Sequence, residues 1–202
     1  MLTHLRTVAA PLRHESEPVK GSRFVADVFP VGSRVEALER LEAVRAEFAG
    51  ANHHCFAWRL DPEGHETRAD DDGEPTHSAG APILRMVEGR DLAGLLVVVT
   101  RWFGGTKLGV GGLIRAYGGA AGEALDRAAV VERPIPCQLE LRFDYSVSSA
   151  VETLCARYSA RVADSVYGAD VRLRVTLAVG DRETFESELG EASAGRVQVE
   201  RS

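Results

Sequence analysis

From Val171 to Val179 an apolar side chain occupies every second position: Val171, Leu173, Val175, Leu177 and Val179. That period belongs to a strand buried on one face and open on the other. Leu139-Glu140-Leu141-Arg142-Phe143-Asp144-Tyr145 repeats the pattern, with a charge at each even position. Such strands need helices over their apolar face, and two candidates are present. Val151, Leu154, Cys155 and Tyr158 form a helical stripe behind a capping box at Ser149 and Glu152, and Asp181 is placed to cap a helix carrying Phe185 and Leu189. Residues 162–167 and 171–179 flank the turn Gly168-Ala169-Asp170 and predict a hairpin, with a closing strand at 196–200. The order β-α-β-β-α-β predicts a ferredoxin-like domain with an open sheet face.

Arg133-Pro134-Ile135-Pro136 divides this part from the rest, because two prolines two residues apart limit helix and leave the chain extended. The expected domains are residues 1–134 and 135–202. In the first, residues 24–31, 54–60 and 92–100 predict strands. Val35, Leu38, Leu41, Val44 and Phe48 make the stripe of a helix over 33–49, and further helices are expected over 79–88 and 109–128. The polar residues 61–75 predict a loop, within which Asp70, Asp71, Asp72 and Glu74 place four carboxylates in five positions.

The whole is an α+β chain of 202 residues with 45% hydrophobic and 27% charged residues, enough to order two small cores. The longest apolar run, Leu95 to Val99, is far below the roughly 20 residues a membrane helix needs, and residues 1–20 lack an apolar leader core. Cys55, Cys137 and Cys155 contain no CxxC pair and are odd in number, which suits reduced thiols. A cytoplasmic location without membrane contact is therefore expected. A net charge of −6 argues against indiscriminate nucleic-acid binding and leaves local basic stretches as candidates.

One such stretch runs from Thr100 to Gly119. No acidic residue lies between Leu92 and Gly122, whereas Arg101, Lys107 and Arg115 do. Gly104, Gly105, Gly109, Gly111 and Gly112 suit close approach of backbone to a ligand, and a helix N-terminus attracts anions such as phosphate. The spacing matches neither G-x-x-x-x-G-K-[ST] nor G-x-G-x-x-G, so no nucleotide site is read. The alternative is packing: Gly112, Ala116 and Ala120 recur every four residues, as do Gly118 and Gly122, and let a helix approach a sheet. Trp102 and Tyr117 supply rings for stacking.

The acidic loop is the second candidate. Its carboxylates could hold Mg²⁺ but lack the alternating spacing of a calcium loop, and Ser78 is placed to cap the following helix. Its acids could equally cap helices or pair with the basic stretch. His53, His54, His77 and Cys55 are metal-type ligands, yet neighbours on a strand point to opposite faces, so the set does not converge as a zinc site.

Four segments, read together, resemble a known family. Lys20-Gly21-Ser22-Arg23-Phe24-Val25-Ala26, His53-His54-Cys55-Phe56-Ala57-Trp58, Asp71-Asp72-Gly73-Glu74-Pro75 with Ala79-Gly80-x-Pro82, and Val99 through Gly118 are similar to the IMPACT family, specifically its bacterial YigZ-like branch. Trp102 stands where the family pattern usually has tyrosine. The resemblance implies an N-terminal domain like the second domain of ribosomal protein S5 and a C-terminal domain like the last domain of elongation factor G. Eukaryotic relatives regulate translation by competing for the activator of an initiation-factor kinase.

The expectation is a non-enzymatic, translation-associated protein that binds RNA, the ribosome or a translation factor. Arg101, Lys107 and Arg115 would contact phosphate, Trp102 or Tyr117 would stack, and Arg142, Arg172 and Arg174 would extend the surface. The alternative is a metal-assisted hydrolase or phosphate-handling enzyme built on Asp70 to Glu74 and the glycine turn.

Overall fold

The computed structural model describes residues 2–201. The chain forms two compact units: Leu5–Arg133, and a second made of the chain from Pro134 onward with the segment up to His4. Among the described residues, no helix is long and apolar enough to cross a membrane.

The first unit is built on a five-stranded antiparallel sheet, ordered β2 (Leu12–Glu15), β3 (Arg23–Pro30), β6 (Leu95–Trp102), β4 (His53–Arg59), β5 (Thr67–Asp70). Helices cover both faces. On one lies α1 (Arg34–Glu47), whose Ala37, Leu41 and Val44 pack against Phe56, Trp58, Leu96 and Val98. On the other lie α2 (Gly80–Glu88) and α3 (Val110–Arg127), which cover Phe24, Ala26, Val28, Cys55, Ala57, Leu95, Val97 and Val99. The central strand β6 is thus buried on both faces, which is why residues 95–99 read as an unbroken apolar run. Two further strands, β1 (His4–Val8) and β7 (Val130–Pro134), pair with each other.

The packing reading of the α3 glycines holds for its buried face. Ala116, Tyr117, Gly118, Ala120 and Ala121 are buried. A Cβ on Gly118 would meet Pro82, and one on Gly122 would meet Met86 and Arg90, so these glycines set the α2–α3 approach.

The second unit has the expected element order: β8 (Pro136–Phe143), α4 (Ser148–Arg157), β9 (Arg161–Tyr167), β10 (Val171–Ala178), α5 (Arg182–Ala192), β11 (Gln198–Arg201). The sheet is antiparallel, ordered β11-β8-β10-β9. Val151, Leu154, Phe185 and Leu189 cover Leu139, Leu141, Phe143, Val171, Leu173, Val175 and Leu177.

Several local expectations need correction. Residues 61–75 are not all loop: Thr67–Asp70 adds edge strand β5, its polar character being that of an exposed edge. The first twenty residues, unassigned by periodicity, contribute β1 and β2, each too short to show a period. The Ser149–Glu152 capping box does not form, because a 3-10 turn at Tyr145–Val147 leads directly into α4 and Asp144 caps that turn. Asp181 likewise precedes α5 in helical conformation and offers its side chain to no cap bond.

Candidate functional site

Alternation along β6 points Val99 and Arg101 toward α2 and α3, and Val98 and Trp102 toward α1. Arg101 therefore enters the core rather than solvent. Its Nη1 donates to Glu74 Oε1 at 2.5 Å, both side chains being only 5% exposed, and its Nη2 donates to Ser22 Oγ at 3.2 Å. The Tyr117 hydroxyl donates to the same Glu74 oxygen at 2.7 Å, and Ser22 Oγ also accepts from the Gly104 backbone N–H at 3.2 Å. One buried polar knot thus ties the turn before β3, strand β6, helix α3, the acidic loop and the glycine turn together. Burial raises the Tyr117 hydroxyl far above the ordinary phenol range and raises the Cys55 thiol as well. Cys55 Sγ donates to the Asp71 carbonyl at 3.0 Å and is a buried structural thiol.

The acidic loop is held by its own carboxylates. Asp71 accepts backbone N–H bonds from Ala79 and Gly80 at 2.9 Å and from His77 at 2.7 Å, satisfying the start of α2. Burial pushes the Asp71 carboxyl up, and these three bonds more than offset it, leaving the group below its ordinary value. Asp72 accepts from the His54 backbone N–H at 2.6 Å and from Arg45 at 3.1 Å. Asp70 accepts from the Asp72 N–H at 3.0 Å, and Arg68 lies 3.2 Å from its other oxygen. Gly80 carries no Cβ for a clear reason: one would stand 2.5 Å from the Asp70 backbone nitrogen.

These contacts correct the sequence reading at several positions. Arg101 and Tyr117, placed among phosphate-binding and stacking residues, are buried and bonded to Glu74; Tyr117 is 0% exposed. Trp102 is held on the α1 side, with the Arg23 guanidinium 4.5 Å from its ring centroid and Phe48 edge-on at 5.3 Å. Ser78, expected to cap α2, is buried with its hydroxyl unpartnered, because Asp71 takes that role. His53 Nδ1 lies 2.8 Å from the Asp72 carbonyl, while His54 is buried, and that burial lowers its pKa. His77 is exposed with φ of 60°.

The loop carboxylates and histidines thus face different partners. Among the described residues the one three-ligand grouping, Asp61, Glu63 and His65, lies in the β4–β5 connection, outside the expected set. Asp61 there accepts the His65 and Glu66 backbone N–H groups at 3.0 and 2.5 Å, the bonding of a turn.

What remains at the surface is the turn itself. Phe103, Gly104, Gly105, Thr106, Lys107, Gly109, Val110, Gly111 and Arg115 are exposed, and Gly112 is partly so. Gly109 precedes α3 with φ of 71°, and no side chain caps the helix start. Gly104 lies so close to Gly21 that a Cβ would stand 1.9 Å from the Gly21 carbonyl carbon. The Lys20-Gly21 turn is thereby pressed against the glycine turn, bringing a third exposed cation beside it. Arg115 lies back along the helix, its Nη1 3.7 Å from where a Gly111 Cβ would be. Lys20, Lys107 and Arg115 take part in none of the ion pairs found among the described residues.

Phe103 and Lys20 are the surface residues that sequence reasoning missed. Phe103 follows the last residue of β6, where strand alternation no longer buries a side chain, and that boundary was the available signal. The open sheet face of the second unit is less basic than its arginines suggest: Arg142 pairs with Asp170, Arg172 lies 3.9 Å from Asp170, and Arg174 pairs with Glu140 at 3.2 Å. A cleft of about 350 Å³ beside α1, lined by Arg13, Asp27, Phe29, Arg40 and Glu47 among others, is bridged by Arg13 to both Asp27 and Glu47. Its placement on the α1 face separates it from the buried knot, which faces α2 and α3.

Residues 20–125 match the Impact N-terminal domain, and residues 141–196 match a domain of unknown function, DUF1949. The chain is 34% identical over 186 residues to IMPACT family member YigZ of Escherichia coli, covering 91% of each chain. It is 31% identical over 199 residues to IMPACT family member YvyE of Bacillus subtilis, covering 98% of this chain and 91% of the relative. A crystal structure described as that of "an hypothetical protein" superposes with a TM-score of 0.83 at 31% identity, covering 100% of this chain and 98% of the other.

Proposed function

The chain belongs to the IMPACT family, and from that premise we propose that it is a translation-associated binding protein whose glycine turn contacts the phosphates of RNA, ribosomal RNA first among them. One observation carries this reading. Lys107 and Arg115 are exposed and take part in no ion pair found among the described residues, in a segment with no acid between Leu92 and Gly122. Some exposed arginines elsewhere, such as Arg13, Arg23 and Arg142, are paired with a carboxylate, whereas others, such as Arg34, Arg85 and Arg161, are in no ion pair found among the described residues; what sets Lys107 and Arg115 apart is the acid-free, glycine-rich segment that carries them. A cation without a protein partner keeps its charge for a phosphate, and the adjoining bare backbone lets a nucleic-acid strand approach closely.

The buried knot supports the turn mechanically. Ser22 Oγ holds both Arg101 and the Gly104 N–H, so the surface rests on a fixed base and loses little entropy on binding.

The test is co-sedimentation with ribosomes across a salt series, comparing the natural chain with a Lys107→Ala, Arg115→Ala variant. Each lost phosphate contact lowers the slope of log affinity against log salt by about 1. The expected outcome is weaker binding with a slope smaller by about 2. Unchanged binding in the double variant overturns the assignment of this surface.

A further inference from the structure

We propose that Phe103 is a stacking platform that directs this surface to unpaired RNA bases, an inference that rests on the RNA-binding reading above. Phe103 is 46% exposed, a large ring in solvent immediately before the glycine turn. It is nonetheless held in place. Its backbone N–H donates to Asn52 Oδ1 at 2.8 Å, and the Arg101 guanidinium lies 5.5 Å from its ring centroid. Arg101 is itself fixed by Glu74 and Ser22, so the cation beside the ring is already committed to protein partners.

The backbone that carries the ring is therefore held, one fixed cation lies 5.5 Å from the ring centroid, and the ring is open toward solvent. An anchored aromatic loses little rotational freedom when a flat partner stacks on it, which is the property that single-strand binding surfaces use. The neighbouring groups match the rest of a nucleotide. Lys107 follows four residues later in the same turn, Lys20 sits on the turn pressed against Gly104, and Arg115 lies over Gly111. These cations can meet the phosphates on either side of a base seated on Phe103. Within a duplex every base face except those at the two ends is covered by its neighbour, so along its length the ring has nothing to stack on and only the phosphate contacts remain. The surface should consequently favour unpaired over paired RNA, with little dependence on which base is offered, since every base has a π face.

Fluorescence anisotropy on the full chain tests this, using a labelled oligouridylate as the single strand and a blunt RNA duplex of equal length. The variants are Phe103→Ala, Phe103→Leu and Phe103→Trp, with the Lys107→Ala, Arg115→Ala chain in parallel and unfolding midpoints as a control for fold. Loss of a stacked base weakens binding about 5-fold to 150-fold. The expected result is a loss of that size for Phe103→Ala and Phe103→Leu on the single strand, near-natural affinity for Phe103→Trp, and little change on the duplex. Their salt slopes should match the natural chain, because no charge is removed.

Full affinity in Phe103→Ala, alongside loss in the lysine and arginine variant, overturns the stacking role and leaves the phosphate surface standing. Full affinity in Phe103→Leu overturns it too, since an apolar contact then suffices. Absence of binding of the natural chain to either RNA at low salt overturns both readings.

Discussion

The Tyr117 hydroxyl and the Glu74 carboxylate meet at 2.7 Å, joining the second turn of α3 to the acidic loop 43 residues earlier. Arg101 completes the contact on the same carboxylate oxygen. Removing the carboxylate charge leaves a buried guanidinium unpaired, at a cost of about 3–5 kcal/mol, whereas removing the phenol oxygen costs one hydrogen bond, about 1–2 kcal/mol. Glu74→Gln should therefore destabilise the first unit far more than Tyr117→Phe. Both tryptophans, Trp58 and Trp102, lie in that unit, so urea unfolding followed by their fluorescence reads the difference. Equal midpoints for the two variants would refute the ion-pair account.

Asp71 makes the start of α2 sensitive to acid. Its folded carboxyl lies below the ordinary value of 3.8, so its contribution is present above that value and is lost as pH falls through the lowered one. Asp71→Asn should cost roughly 0.5–2 kcal/mol near neutrality, the range of a lost helix cap, and should flatten the acid limb of the stability profile. Urea midpoints measured from about pH 6 to pH 2 check this. A variant that loses stability in acid as steeply as the natural chain would show that other carboxylates set the limb.

Three glycines of one segment should respond differently to alanine. At Gly104 the new Cβ would stand 1.9 Å from the Gly21 carbonyl carbon and 2.3 Å from the Ser22 nitrogen, so backbone has to move. A loss of at least about 3 kcal/mol is expected there. Gly105 has open space but φ of 86°, which costs an L residue about 1–2 kcal/mol. Gly119 is exposed within α3 with nothing in reach, and alanine there should stabilise by about 0.5–1 kcal/mol. Thermal unfolding of the three variants gives the order directly.

Trp102 and Phe103 are adjacent and should separate stability from binding. Trp102 packs between Arg23 and Phe48, and Trp102→Ala should cost about 2–3 kcal/mol, somewhat less than a fully buried tryptophan, with RNA affinity retained in the folded protein. Loss of affinity without loss of stability in this variant would place the ligand on the α1 side of the sheet.

Cys55 should resist alkylation. Burial raises its thiol, and the sulfur is bonded to the Asp71 carbonyl. Iodoacetamide at mildly alkaline pH should modify it only after unfolding, as peptide mass mapping will show; rapid labelling in the native protein would contradict the packing.

Much of the fold was legible because its signals are local. The alternation in residues 139–145 and 171–179 and the stripe through Leu41 and Val44 each depend on a few adjacent residues. Short elements such as β2 and β5 carry no period to read, and the caps at Ser149 and Asp181 failed because 3-10 turns entered the helices ahead of them. Of the residues expected at the candidate surface, Arg101 and Tyr117 lie inside, whereas Phe103, which was not among them, is exposed.

Sequence alone determined that residues 100–119 form a basic, glycine-rich passage from strand to helix. Which of its charges are available was decided by tertiary structure. Arg101 finds its carboxylate 27 residues earlier, at Glu74, on a loop whose path depends on Asp71 and Asp72. A side chain's periodicity is encoded by its neighbours, whereas the partner that neutralises its charge is brought by the folding of distant segments, and no spacing within residues 100–119 records it.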